Sequence, residues 1–144
     1  MTEAAGLPVP GDAGSDQNGQ GRLVVVIDDD AIVLESLEAI LTEWGYQVIT
    51  GDSTEEAIAR LRELDGQPDI VIADYRLQDG RTGTEAILTV RALFDHPIPG
   101  LILTGETDPK FLRECTGHDV GIAHKPVMPS QLGRALDQQL NAAA

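Results

Sequence analysis

Apolar residues along the chain fall into two alternating patterns. Short continuous runs occupy residues 23–27 (LVVVI), 70–73 (IVIA) and 101–103 (LIL), with weaker ones at 46–50 and 120–123. Runs of this length, rich in β-branched residues, fit strands buried on both faces. Between them, apolar positions recur at helical spacing. Ile32, Val33, Leu34, Leu37, Ile40, Leu41 and Trp44 mark a first helix, with Asp30 as N-cap and Gly45 as its stop. Ser53 with Glu56 suggests a capping box for a second, whose inner stripe is Ala57, Ile58, Leu61 and Leu64. Gly66 and Pro68 end it. Ala86, Ile87, Val90, Leu93 and Phe94 mark a third. Asp108 and Pro109 open a short fourth, reaching Cys115 and closed by Gly117. Pro129 and Ser130 begin a last one, with Leu132, Leu136 and Leu140 facing in.

Five strands alternating with five helices predict an α/β fold. It is a doubly wound, five-stranded parallel sheet of flavodoxin-like order 2-1-3-4-5, with helices on both faces. Residues 1–21 carry only Leu7 and Val9 as sizeable apolar side chains. They read as a disordered tail or a linker from a longer parent chain, and residues 22–144 as one domain.

Composition narrows the function. The 144 residues include 24 acidic and 10 basic ones, for a net charge of −14. That balance speaks against nucleic acid, whose phosphates need Lys and Arg, and against anionic membrane surfaces. It suits a protein that holds a cation or meets a basic partner face, and equally one that is merely well solvated. The single Cys115 excludes an internal disulfide and a Cys-rich zinc site. No apolar stretch approaches the roughly 20 residues of a membrane span, and the N-terminus has no secretory pattern. A cytoplasmic location is expected.

Four predicted strands end in polar groups: Asp28 and Asp29 after the first, Asp74 after the third, Thr104 after the fourth, Lys125 after the fifth. In a parallel sheet these ends share one rim, where open α/β sheets place their ligand crevice. Taken singly, each residue has a plain explanation: a turn-capping Asp, a strand Thr, a surface Lys. His124 reads as a bystander and Cys115 as a small core residue. Together they form a constellation. Clustered carboxylates repel unless a cation neutralises them, and oxygen-only ligands in an open cleft suit Mg²⁺. Lys125 offers a mobile positive charge and Thr104 a hydroxyl donor. Phosphoryl transfer requires little beyond positioning and charge neutralisation, so Asp74 reads as a nucleophile that takes up a phosphoryl group.

The sequence resembles the receiver (response-regulator) domain of two-component signalling over Leu23 to about Leu140. The motifs are VVVIDDD, VIADYRL, LILTG and HKPV. The resemblance implies Asp74 as phosphoacceptor, Thr104 as switch hydroxyl and Lys125 as the family's lysine. It implies Asp28 and Asp29 as the acidic pair, and Asp29, Asp74 and the Arg76 carbonyl as Mg²⁺ ligands with Asp28 acting through water. It implies a cis Lys125–Pro126 peptide, and a histidine kinase or histidine phosphotransfer protein as partner. Activity would be limited to Mg²⁺-dependent self-phosphorylation and slow autodephosphorylation. The wording DYRLQDGRTGTEAI with HKPVMPSQL looks most like receivers at the C-terminus of hybrid sensor histidine kinases. Ile122 departs from the pattern, standing where a switching Tyr or Phe is common. A weak homodimer is left open.

Two alternatives remain at this stage. A phosphatase like the haloacid dehalogenases would use Asp28 and Asp30 as an Asp-x-Asp pair after the first strand. A receiver that is never phosphorylated would act only as a binding module.

Overall fold

The computed structural model describes residues 19–105, 110, 113, 117 and 119–143. β1 (Leu23–Ile27) and β4 (Gly100–Thr104) are buried at every position, and β3 (Ile70–Asp74) at every position but Asp74. β2 (Gln47–Gly51) and β5 (Gly121–His124) are more exposed, because they are the two edges. The sheet runs β2-β1-β3-β4-β5, parallel throughout, which is the expected order.

Successive strand residues face opposite ways, so each half of a strand feeds a separate core layer. Val25, Ile27, Val71, Ala73 and Ile102 pack against Ala57 and Leu61 of α2 (Thr54–Leu64) and Ala86, Ile87 and Val90 of α3 (Gly83–Phe94). Val24, Val26, Ile70, Ile72, Leu101 and Leu103 meet Leu37 and Leu41 of α1 (Ala31–Glu43) and Leu132 and Leu136 of α4 (Pro129–Ala143). Both faces are thereby covered, as all-parallel sheets require.

Local chemistry sets the helix ends. Asp30 caps α1, its Oδ1 accepting from the Ile32 amide at 3.0 Å. Gly45 follows at φ +95°, a left-handed turn open to glycine. Tyr46, expected in the second strand, still donates its amide to Leu41 of α1; the strand starts one residue later. Ser53 Oγ accepts from the Glu56 amide at 3.1 Å, but Glu56 reaches back to the amide of Asp52. The reciprocal half of that capping box is thus displaced by one residue. Leu64 is not part of the inner stripe: it is 47% exposed. α2 lies at the edge of the sheet and ends there, so its final turn loses cover.

The expected short fourth helix, with Asp108, Pro109 and Cys115, falls largely outside the described residues, as do residues 1–18 of the expected tail. Gly19 and Gly21, the last part of that segment, donate to the carbonyls of Trp44 and Gly45 at 2.6 and 2.9 Å. These two glycines are thereby tied to the turn that follows α1. No described helix is long and apolar enough to cross a membrane.

Candidate functional site

All five strands point their carboxyl ends at one rim, and the rim collects the predicted residues. Asp28 follows β1 and is 1% exposed, Asp29 is exposed, and Asp74, the last residue of β3, is partly buried. One carboxylate oxygen from each of the three lies within 4.8 Å of the others. Lys125, just past β5, sets its Nζ 2.9 Å from Asp74 Oδ1 and 3.5 Å from Asp28 Oδ2. Its own amide donates to the Thr104 carbonyl at 2.8 Å, which ties the lysine to the end of β4. Thr104 is buried at that end. Register places Asp74 opposite Leu103, so Thr104 stands one residue further along the neighbouring strand. The Lys125–Pro126 peptide is cis, as expected.

The electrostatics follow from three acids and one ammonium in a small volume. Burial pushes the Asp28 carboxyl above the ordinary range. The Asp30 amide, donating at 2.9 Å, opposes that push, Asp74 adds to it, and Lys125 opposes it. For Lys125, burial alone would pull the ammonium down. The hydrogen bond it donates to Asp74 and the charges of Asp28 and Asp74 outweigh it and hold the group above its usual value. Among the described residues, three carboxylates share one lysine, so positive charge is in deficit there. A hard divalent cation with an oxygen preference meets that deficit, so the donor set fits Mg²⁺.

Arg76, two residues beyond Asp74, forms an isolated antiparallel bridge with Thr82, and its guanidinium carbon lies 5.7 Å from the Tyr75 ring centre. Asp30 stays out of the acidic group. Its side chain is committed to the α1 cap, which removes the Asp28–Asp30 pair that a phosphatase would need. His124 is exposed on the last position of β5. Ile122 is an aliphatic residue half-buried against the α2–α3 layer.

Sequence reasoning missed the brace behind Asp74. Thr82 and Glu85 form a full capping box at the start of α3, at 2.9 and 3.2 Å. Arg81, just ahead of it, ion-pairs with Glu55 of α2. The T-x-x-E spacing at 82–85 was the available signal. An apolar groove also opens beside the site, lined by Ile32, Val33, Leu37, Leu103, Pro126 and Val127.

Comparison with known proteins gives a consistent picture. Residues 24–137 match the family model of the response regulator receiver domain. The transcriptional regulatory protein AruR of Pseudomonas aeruginosa is 37% identical over 116 residues, covering 76% of this chain and 45% of its own. The phyllosphere-induced regulator PhyR of Methylorubrum extorquens is 27% identical over 124 residues, covering 81% and 43%. The chain thus spans less than half the length of these relatives. Among solved structures, the chemotaxis protein CheY4 of Vibrio cholerae superposes with a TM-score of 0.74 at 28% identity, covering 83% of this chain and 99% of its own. With the family model matched across nearly the whole described sheet, the chain belongs to the response regulator receiver domain family.

Proposed function

We propose that this receiver domain takes up a phosphoryl group on Asp74 from a phosphohistidine of a kinase or phosphotransfer protein, and so relays or switches a signal. The observation that carries the reading is the placement of Asp74 Oδ1 against Lys125 Nζ, at 2.9 Å, inside a three-carboxylate group. An Asp74 oxygen attacks phosphorus in line, the P–N bond to the donor imidazole breaks, and an acyl phosphate forms. Lys125 already touches the attacking carboxylate and stays in reach of a phosphoryl oxygen once the bond forms. Thr104, at the next strand end, supplies a hydroxyl to another. Mg²⁺ bound by Asp29, Asp74 and the Arg76 carbonyl, with Asp28 alongside, would neutralise charge on the transferred group. The apolar groove along α1 offers the donor protein a face next to Asp74.

Engagement of Lys125 and Thr104 by the phosphoryl group biases the β4–β5 side toward a second conformation. Hydrolysis of the acyl phosphate resets it. The motif wording supports a domain of the kind carried by hybrid sensor kinases, working in the cytoplasm. The test is incorporation of phosphate from acetyl phosphate with Mg²⁺, located by mass spectrometry after peptide digestion. Label on Asp74, lost in Asp74→Asn, is the expected result. An unlabelled wild-type chain that still captures a partner would establish the binding-module alternative instead.

A further inference from the structure

We propose that Gly83 is a positioning residue for Asp74, a role that rests on the phosphoacceptor reading above. Gly83 is the first residue of α3, and its amide donates to the Tyr75 carbonyl at 2.9 Å. The helix therefore begins pressed against the backbone that carries Asp74. A Cβ on Gly83 would overlap the Asp74 carbonyl oxygen, and it would stand 3.0 Å from the Asp74 carbonyl carbon and 3.1 Å from Ala73 Cβ. The obstacle is mostly main chain, which has no rotamer to escape into.

Neither partner is free to give way. Ala73 and Asp74 are held in register with Ile102 and Leu103 of β4, and Ala73 also with Ile27 of β1. α3 is fixed by the Thr82–Glu85 capping box and by buried Ala86, Ile87 and Val90. A side chain at position 83 displaces the last residue of β3, and with it a carboxylate whose pairing with Lys125 depends on a 2.9 Å contact. Phosphoryl transfer depends on such placement, and displacements of about 1 Å cost on the order of 100-fold in rate.

Gly100 provides a matched control. A Cβ there would meet Ile87 Cδ1 at 2.7 Å and Cγ2 at 2.8 Å, so α3 is strained again. Gly100, however, opens β4 at the rim opposite Thr104, and the atoms it meets belong to a side chain.

The experiment compares wild type, G83A, G100A and D74N. Thermal melting in EDTA gives the stability loss of each. Phosphorylation by acetyl phosphate at saturating Mg²⁺ gives the rate, and the Lys125 Cε resonance in metal-free buffer reports the ion pair directly. All are run in trimethylamine N-oxide, which favours the folded state. G83A is expected to lose 10- to 100-fold in rate and to shift the Lys125 resonance. G100A, at an equal or larger loss of melting temperature, stays within about twofold of wild type, well short of the loss that displacement brings. A folded G83A with wild-type rate and resonance overturns the proposal. So does a G83A chain that remains unfolded in the osmolyte, since Gly83 is then a packing residue only. Equal labelling of D74N and wild type would instead sink the phosphoacceptor reading.

Discussion

Lys125 Nζ lies 2.9 Å from Asp74 Oδ1, although 51 residues and two strands separate them in sequence. The same ammonium reaches Asp28 at 3.5 Å. It is a positive charge placed among the three carboxylates, and its removal leaves Asp28 buried beside Asp74 with only the Asp30 amide, among the described residues, shown to offset its charge. Lys125→Met should therefore destabilise the metal-free protein at neutral pH. Breaking a fully buried pair costs about 3–5 kcal/mol. Lys125 is 32% exposed, so solvent screening reduces the expectation to about 1–2 kcal/mol. Urea unfolding in EDTA measures it. Saturating Mg²⁺ should recover much of the loss, since the cation takes over the neutralising role.

Side-chain placement separates three neighbouring aspartates that look alike in sequence. Asp28, Asp29 and Asp74 converge, while Asp30 turns away to cap α1. Mg²⁺ at about 100 times its dissociation constant should stabilise the wild-type chain by about 2.7 kcal/mol, a rise of several degrees in melting temperature. Asp29→Asn should abolish most of that rise. Asp30→Ala should lose about 1 kcal/mol of stability through the lost cap yet keep the full Mg²⁺ increment. Equal Mg²⁺ increments in the two variants would contradict the assignment.

The strands at the centre of the fold were legible because a parallel sheet buries both faces, so β1 and β3 read as unbroken apolar runs with sharp polar ends. That sharpness also exposed the site: Asp28, Asp74, Thr104 and Lys125 each stand where a run stops. Features without a periodic signature were hidden. Leu64 continues the spacing of Ala57 and Leu61 but sits on the last turn of an edge helix, where cover ends. The brace formed by Thr82, Gly83 and Glu85 depends on how α3 meets the backbone of β3, a long-range contact. Part of the negative charge also has a local cause. Asp65, Asp79, Asp95 and Asp119 all adopt left-handed backbone, at φ between 51° and 61°. Asp tolerates that region better than most residues, so these acids suit the turns they occupy.

Asp95 is one of those turn residues and yields a separate prediction. It ends α3 at φ 51°, ψ 48° and is exposed, so its backbone can be tested with little disturbance of packing. Asp95→Gly should stabilise the domain by about 0.5–1 kcal/mol, because glycine adopts left-handed backbone without steric cost. Asp95→Val should destabilise it by about 1–2 kcal/mol. Thermal melting distinguishes the two, and a loss with Gly would show that the carboxylate itself matters.

Asp28 provides the pH test. Burial, followed by repulsion from Asp74, raises its pKa in the folded chain, so folding favours its protonated form. Such a group weakens the folded state wherever it is ionised. The penalty is fully present above the folded pKa and vanishes below the unfolded value of about 3.9. Asp28→Asn removes the penalty while the amide oxygen can still accept from the Asp30 amide, and Lys125 keeps Asp74 as its partner. In EDTA at pH 7 the Asn variant should melt higher than wild type. The gap should close as pH falls through the carboxylate range, because wild type gains the proton that the variant never needed. With Mg²⁺ at pH 7 the order should reverse, since the ionised cluster is what the cation stabilises. A gap that widens on acidification would mean that Asp28 is held ionised in the folded chain, with Lys125 outweighing burial.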